Sequence, residues 1–411
     1  MTEYFEVRDR DGPARLGQLR LATPVTTPAI LDEDRIEDAG SLWVRDRELP
    51  EGGEDVLTVL PHRGVPGGTP TEVQEAFAVE QPKVSYPSAA VIGAETAERH
   101  GTDAYVLSDA RSAVGHAEAF VDALCRVREA IPADTALYLP GVATPGNVGL
   151  LAYAGVDLVD SHRAVLKGLE GKYLTADGER VLEDLEEQPC ACPACRGDAF
   201  DLEACAEHNE YALETALATV RERIRAGQLR DYLEGQIRHE RWLTAAVRRF
   251  DEQYGYLEER TPVCRQAEIT ATNEDALRRV EIRRYADRVT TRYRPRFEGP
   301  PVLVPCSATK PDSESPSHAQ FHDAIGYRAH KLSMTSPIGV VPQELEWTYP
   351  AQHYDAVVTG RWTETELEFV ADVLARYLDG AGAYGRIVAH VPETGYREVV
   401  ERALARAQAT P

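Results

Sequence analysis

The stretch VLVPCSATKPDSESPSH, residues 302–318, sets Cys306, Lys310, Ser315 and His318 within thirteen positions, directly after an apolar run that reads as a buried strand. A thiol, an ammonium and an imidazole gathered at a strand end could act as nucleophile, electrostatic stabiliser and general acid or base. The same residues also read as a buried cysteine, a solvated lysine and a surface histidine, and spacing alone does not separate the two. The lysine stands out by scarcity, because the 411 residues hold lysine only at Lys83, Lys167, Lys172, Lys310 and Lys331.

A second set is more specific. Cys190, Cys192, Cys195 and His208 form C-x-C-x2-C-x12-H. Three thiolates and one imidazole complete a tetrahedral shell, which is how structural zinc (Zn2+) is held. With every position taken by protein, no water could be activated there, so the ion is expected to hold the fold together. Cys205 is expected to be a packed helix residue. Seven cysteines in a chain whose charged start, MTEYFEVRDRDG, lacks a secretory pattern point to metal binding and chemistry, not disulfides.

Two weaker groups follow. GVDLVDSHR puts Asp157 and Asp160 at a strand end, where a carboxylate could be a nucleophile, a base or an acceptor for a purine-like edge; capping of a loop explains them equally well. LPGVATPGNV adds Gly141 and Gly146, where backbone could approach a flat ligand. RRVEIRRYADRVTTRYRPR interleaves Arg284, Arg288 and Arg292 with Tyr285 and Tyr293. Arginine forks beside aromatic rings suit unpaired RNA, although an arginine face paired with acidic neighbours gives the same pattern.

The elements that must position these groups alternate. TDAYVLSDA, TALYLPGVA and VDLVDSHRAVLKG read as strands, with helices HAEAFVDALCRVREAI and NVGLLAYAG between them. This implies parallel strands with crossover helices, whose strand ends carry sites. A long helical, arginine-rich region follows, and the cluster PRFEGPP marks a boundary near 297. Beyond it come strand PVLVP, helix HAQFHDAIGYRAHKL, strand DAVVTG, helix TETELEFVADVLARYL, strand GRIVAHV and helix GYREVVERALARAQA. The expected organisation is a barrel domain with the zinc site over residues 1–235, an arginine-rich helical connection over 236–297, and a three-layer α/β domain over 298–411. At roughly 250 residues for a full TIM barrel the first domain is short, so a degenerate barrel is expected.

Length favours two domains, and no apolar run approaches the ~20 residues of a membrane helix, so a cytoplasmic protein is expected. The net charge of −23 would argue against a polyanionic partner, but arginine-dominated basicity with abundant Asp, Glu and Ala looks like a salt-loving organism's protein. In molar salt the Debye length is about 3 Å, so such acidity serves hydration and says little about partners.

These residues carry a resemblance that covers nearly the whole chain. The N-terminal part is similar to the tRNA-guanine transglycosylase fold, with Asp160 of GVDLVDSHR on its nucleophile position and the Cys190, Cys192, Cys195 and His208 set on its zinc site. Pro305, Cys306, Lys310, Pro311, Ser315 and His318 fit the P-C-x3-K-P-Y-x2-S-x2-H signature of archaeosine synthases, the archaeal paralogues of the transglycosylase, with Asp312 standing where the signature has tyrosine. The resemblance implies a TIM-barrel-like α/β domain with zinc followed by a smaller three-layer α/β domain. It also implies modification of 7-cyano-7-deazaguanine at position 15 in the D-arm of tRNA, with free lysine joined through its side-chain amine to the nitrile, and a radical S-adenosylmethionine partner that processes the adduct. Because a nitrile carbon is a poor electrophile until its nitrogen is protonated or a thiolate attacks it, His318 is expected to transfer protons, Lys310 to polarise or orient substrate and Cys306 to form a thioimidate or a binding contact, with Ser315 in the same motif. A base-exchange stretch of the D-S-G-G/S-F-Q type is not recognisable near SYPSAAVIGA, so Asp160, with Asp157 and Gly141, is expected to bind the deazaguanine. Family members usually continue into a PUA RNA-binding domain, which is expected to be absent, truncated or carried on another chain. The competing readings are a base-exchanging transglycosylase and a non-catalytic tRNA scaffold for the radical partner.

Overall fold

The computed structural model describes residues 2–31, 33–66, 68–197, 199–297, 299–357, 361–380 and 384–409. Two compact units divide the chain, Met1–Arg260 and Thr261–Pro411.

In the first unit β1 (Phe5–Asp11), β2 (Ala14–Leu19) and β3 (Val25–Thr27) form an antiparallel sheet. The main sheet follows: β4 (Ala29–Ile30), β5 (Ile36–Asp38), β6 (Leu57–Val59), β7 (Ser88–Ile92), β8 (Ala104–Leu107), β9 (Ala136–Leu139) and β10 (Leu158–Val159). Its spatial order is β5-β6-β7-β8-β9-β10-β4, with every pairing parallel. Successive strands thus lie side by side, as in a TIM barrel, until β4 covers the far edge of β10. No ladder joins β4 to β5 among the described residues, so the sheet is curled into a half-barrel with surrounding helices. β8 and β9 are buried along their whole length, as expected for parallel strands covered on both faces.

The hairpin β11 (Lys172–Thr175) and β12 (Gly178–Val181) and the long helix Leu202–Ala226 complete the half-barrel's flank. That helix begins at an Asp201 cap accepting from Ala204 N at 2.9 Å and ends at Gly227 in the left-handed conformation. The 236–297 stretch is shared between the units and is not a connection of its own. Helix Arg241–Glu252 belongs with the half-barrel because buried Arg230 on helix Leu229–Gln236 holds Asp251 bidentately at 2.7 and 2.9 Å. Helix Val280–Thr291 belongs to the second unit, where Ile282, Tyr285 and Val289 enter its core.

In the second unit β13 (Ile269–Ala271) pairs with β17 (Tyr354–Ala356), apart from the sheet of β14 (Pro301–Pro305), β15 (His330–Thr335), β16 (Gly339–Pro342) and β18 (Val388–Ala389), ordered β16-β15-β14-β18. The expected strand at 355–360 is therefore the short β17, and residues 358–360 lie outside the described residues, as does Glu298 at the expected boundary. Two expected elements differ. VDLVDSHRAVLKG is a two-residue strand and then helix His162–Leu169. HAQFHDAIGYRAHKL is helix Pro316–Ile325, stopped by Gly326 at φ +53°, and then the start of β15. A left-handed glycine is the usual stop of a helix, and β15 then gains a full ladder on β14 and β16.

Strand alternation sorts β15 into two faces. Leu332 and Met334 join Leu303, Val340, Val370 and Leu374 in the apolar core. Lys331, Ser333 and Thr335 point the other way and are equally buried, so a polar face lies under the loop that follows β14.

Candidate functional site

Two constellations lie at strand ends, one in each unit, and a Cys/His cluster sits on the flank of the half-barrel.

At the mouth of the half-barrel a cavity of about 460 Å3 opens beyond the carboxyl ends of the strands, lined among others by Asp38, His62, Asp109, Arg111, Tyr138 and Asp160. Asp160, only 2% exposed, follows β10. Its Oδ2 accepts from Tyr138 Oη at 3.0 Å and Gly141 N at 2.8 Å, and its Oδ1 from His162 N at 3.2 Å. Gly141 takes φ +68°, and a Cβ there would press on Arg111 at 3.2 Å, so glycine is required to turn this amide toward the carboxylate. Burial and the Asp160 charge push the Tyr138 phenol well up, so it stays a donor. Asp109, at the end of β8, holds φ +58°, the kind of backbone that gathers at functional sites.

Asp157 does not share this cavity. It precedes β10, at the opposite end of the strand, and its buried carboxylate pairs with Arg15 and accepts from Leu137 N at 2.8 Å. The expectation that it contacts substrate is corrected: two strand residues between the aspartates send one to each end of the half-barrel.

The Cys190, Cys192, Cys195 and His208 donors all lie within 4.8 Å of one another and could hold a metal ion. His208 Nε2 donates to Leu174 O at 2.9 Å, which leaves Nδ1 facing Cys195 Sγ at 3.3 Å and Cys192 Sγ at 3.5 Å. A backbone carbonyl fixing the far ring nitrogen is the usual partner of a ligating histidine. Tyr173 stacks on the same ring at 3.8 Å. Burial lowers His208 toward its neutral, ligating form, and burial together with the neighbouring thiols pushes Cys195 up to about 12, a cost that a bound cation would relieve. Cys205 is fully buried and outside the set, as expected.

In the second unit the loop after β14 folds onto the polar face of β15. Lys310 Nζ donates to Ser307 O at 2.6 Å and Asp312 Oδ1 at 2.8 Å, and lies 4.4 Å from the centre of the Tyr354 ring. Burial raises the Asp312 carboxyl, but the Lys310 and His318 charges and the Ser307 amide outweigh it and hold it below its usual range. Ser315 caps the following helix, accepting from His318 N at 3.2 Å. Cys306 Sγ meets Tyr396 Oη at 3.2 Å and is half-buried. Burial and the adjacent sulfur keep the Tyr396 phenol protonated, so it can donate to a thiolate.

His318 is expected to transfer protons, and here the geometry corrects the expectation. The ring is 1% exposed. Its Nε2 donates to Pro305 O at 2.9 Å, and Nδ1 faces Lys331 Nζ at 3.2 Å. Both nitrogens are committed, and burial with the Lys331 charge lowers its basicity. Lys331 in turn pairs with Glu346 at 2.7 Å, and Glu346 accepts from Ser313 N at 3.0 Å. Lys331 and Glu346 escaped the sequence reading, although the scarcity that marked Lys310 marks Lys331 equally. Ser315 likewise serves the helix start.

The arginine and tyrosine stretch is also corrected in part. Arg284 is buried, donating to Pro262 O and Thr261 O at 2.9 Å, and Tyr293 Oη is spent on Glu344 at 2.7 Å. Arg284 lies on the buried face of helix Val280–Thr291, and Tyr293 follows that helix half-buried. Arg292 is exposed and Arg288 half-buried.

A curled parallel sheet with a Cys/His cluster on its flank is a transglycosylase-type domain, and residues 68–241 match the family model described as queuine tRNA-ribosyltransferase, while 282–410 match a domain of unknown function, DUF5591. The archaeosine synthase of Haloferax volcanii is 61% identical over 98% of this chain and 69% of its own length. The archaeosine synthase subunit alpha of Methanosarcina acetivorans is 40% identical over 98% and 70%. A tRNA-guanine(15) transglycosylase of Haloarcula marismortui is 27% identical over 80% and 63%. The chain belongs to the archaeosine synthase family.

Proposed function

We propose that this protein modifies tRNA in archaeosine biosynthesis, joining free lysine through its side-chain amine to the nitrile of 7-cyano-7-deazaguanine at position 15 in the D-arm. The reaction is an addition. The amine nitrogen bonds to the nitrile carbon, one carbon–nitrogen π bond opens, and the amine proton passes to the former nitrile nitrogen, giving an amidine with no leaving group. The observation that carries the reading is that Cys306 directly follows β14 and Lys310 stands in the loop after it, beside Asp312 and Tyr354. Lys310 supplies an ammonium to polarise the nitrile nitrogen, and Cys306, with Tyr396 as donor, supplies a sulfur for a thioimidate or a contact. His318 is a positioning residue that fixes the Pro305 carbonyl, next to Cys306. The first unit, taken by itself, offers in Asp160, Tyr138 and the Gly141 backbone a mouth suited to a deazaguanine edge. Relatives bearing the name subunit alpha support a partner subunit, for which a radical S-adenosylmethionine protein is the proposed identity.

The Cys/His cluster is proposed to hold structural zinc. A tetrahedral ion with bonds of about 2.3 Å to sulfur and 2.05 Å to nitrogen spaces those atoms about 3.6 Å apart, close to the 3.3 and 3.5 Å seen at His208. Zinc would tie the loop carrying Cys190, Cys192 and Cys195 to the long helix and supply no reacting group.

The test is labelled lysine with cyano-deazaguanine tRNA in molar salt, read by mass spectrometry of the nucleoside. Label in tRNA is expected, lost in Lys310→Ala. Exchange of guanine for free cyano-deazaguanine instead, or tight binding with neither reaction, would overturn it.

A further inference from the structure

Beside the mouth of the half-barrel the surface carries an aromatic pair that no role above absorbs. Trp43 and Phe77 are 48% and 43% exposed, with ring centres 5.1 Å apart. The Arg63 guanidinium sits 5.8 Å from the centre of the Trp43 ring. The indole is fixed, because Trp43 Nε1 donates to Gly64 O at 2.7 Å and the Trp43 loop runs along 62–64 through Leu42 N to His62 O at 2.7 Å.

The segment 62–65 is the wall between two hollows. His62 and Gly64 face the cavity that holds Asp160, while Arg63 and Val65, with Phe77, line a neighbouring hollow of about 240 Å3. Val91 and Ser108 line both. Resting on the tRNA reading above, we infer that Trp43, Phe77 and Arg63 form a stacking platform for an unpaired tRNA base adjoining the modified nucleotide. A base drawn into the mouth leaves its chain neighbour at the rim, within reach of this wall. Two rings and a guanidinium are what an unstacked base requires, since every base offers a π-face and arginine stacks on it. A stable protein partner would bury about 800 Å2 on this side, with charged residues depleted at its centre. Here the exposed Val44 is followed at once by the charged run Arg45, Asp46, Arg47 and Glu48.

Trp43→Ala should weaken binding of cyano-deazaguanine tRNA about ten- to a hundredfold, as expected for loss of one base stack, with Trp43→Phe retaining most of it. Phe77→Ala and Arg63→Gln should each give a smaller loss, and circular dichroism should be unchanged. The wild-type lysine-labelling reaction run alongside separates failure of the proposal from failure of the functional reading. Unaltered tRNA affinity in a folded Trp43→Ala protein would overturn the platform, as would Trp43→Ala leaving tRNA affinity intact while dissolving a dimer seen by gel filtration.

Discussion

Lys331→Met gives the sharpest test of the polar face beneath the Cys306 loop. The Lys331 and Glu346 side chains are each 2% exposed and lie 2.7 Å apart. Removing the ammonium leaves Glu346 with Ser313 N as its remaining named donor, and His318 Nδ1 without its Lys331 contact. An uncompensated buried charge of this kind costs about 3–5 kcal/mol, a large part of the 5–15 kcal/mol that holds a typical domain. Adding Glu346→Gln removes the second charge while keeping an acceptor for Ser313 N. The double variant should therefore sit about 1–2 kcal/mol below wild type, far less than the sum of the singles. The assay is urea unfolding of all four proteins with the slope m compared, repeated in molar salt. Salt should not erase the effect, because a dry pair is poorly screened. In contrast, the surface network of Arg402 with Glu364 and Glu368 at 2.6 and 2.5 Å should lose its influence there. Costs of the two singles that add within about 0.5 kcal/mol would refute the coupling.

Further outcomes follow from the same geometry. Asp312 has a depressed folded-state pKa, so its contribution is complete above the ordinary value near 3.8 and fades as pH falls through the lower folded value; Asp312→Asn should flatten that acid limb of the unfolding midpoint, and parallel wild-type and variant curves would contradict it. Native mass spectrometry should find one zinc per chain, lost in Cys195→Ser together with thermal stability, and full metal content in the variant would exclude the site. Asp157→Asn, which breaks the buried Arg15 pair, should cost about 3–5 kcal/mol with binding of the deazaguanine nucleotide unchanged in the folded protein, whereas Asp160→Asn, which leaves at least one of its three donors facing an NH2, should cost less, about 1–3 kcal/mol, and weaken that binding; nucleotide binding lost in Asp157→Asn and kept in Asp160→Asn would show that the two carboxylates had been assigned to the wrong ends of the strand.

The sequence by itself determined whatever rests on local spacing and residue type. Three cysteines within six positions and a histidine about two helix turns past the Asp201 cap marked the ligand set that converges in the structure. The alternation over 102–155 gave parallel strands with crossover helices, and the final helix, 395–409, is where its periodicity placed it. The strand at 301–305 is where its apolar run placed it, with the candidate residues in the segment that follows. Only tertiary structure decided which side chains are free to act. His318 is at a motif position, yet a carbonyl from β14 and an ammonium from β15 take both its nitrogens. Lys331 joins it through the parallel register that sets Val302 beside Lys331, a pairing between segments about thirty residues apart that no local pattern encodes. Asp157 and Asp160 read alike in the sequence and part at opposite ends of one short strand. Buried charge is the common reason: whether a titratable group is reactive or structural depends on what desolvates it and what bonds it, and those neighbours come from elsewhere in the chain.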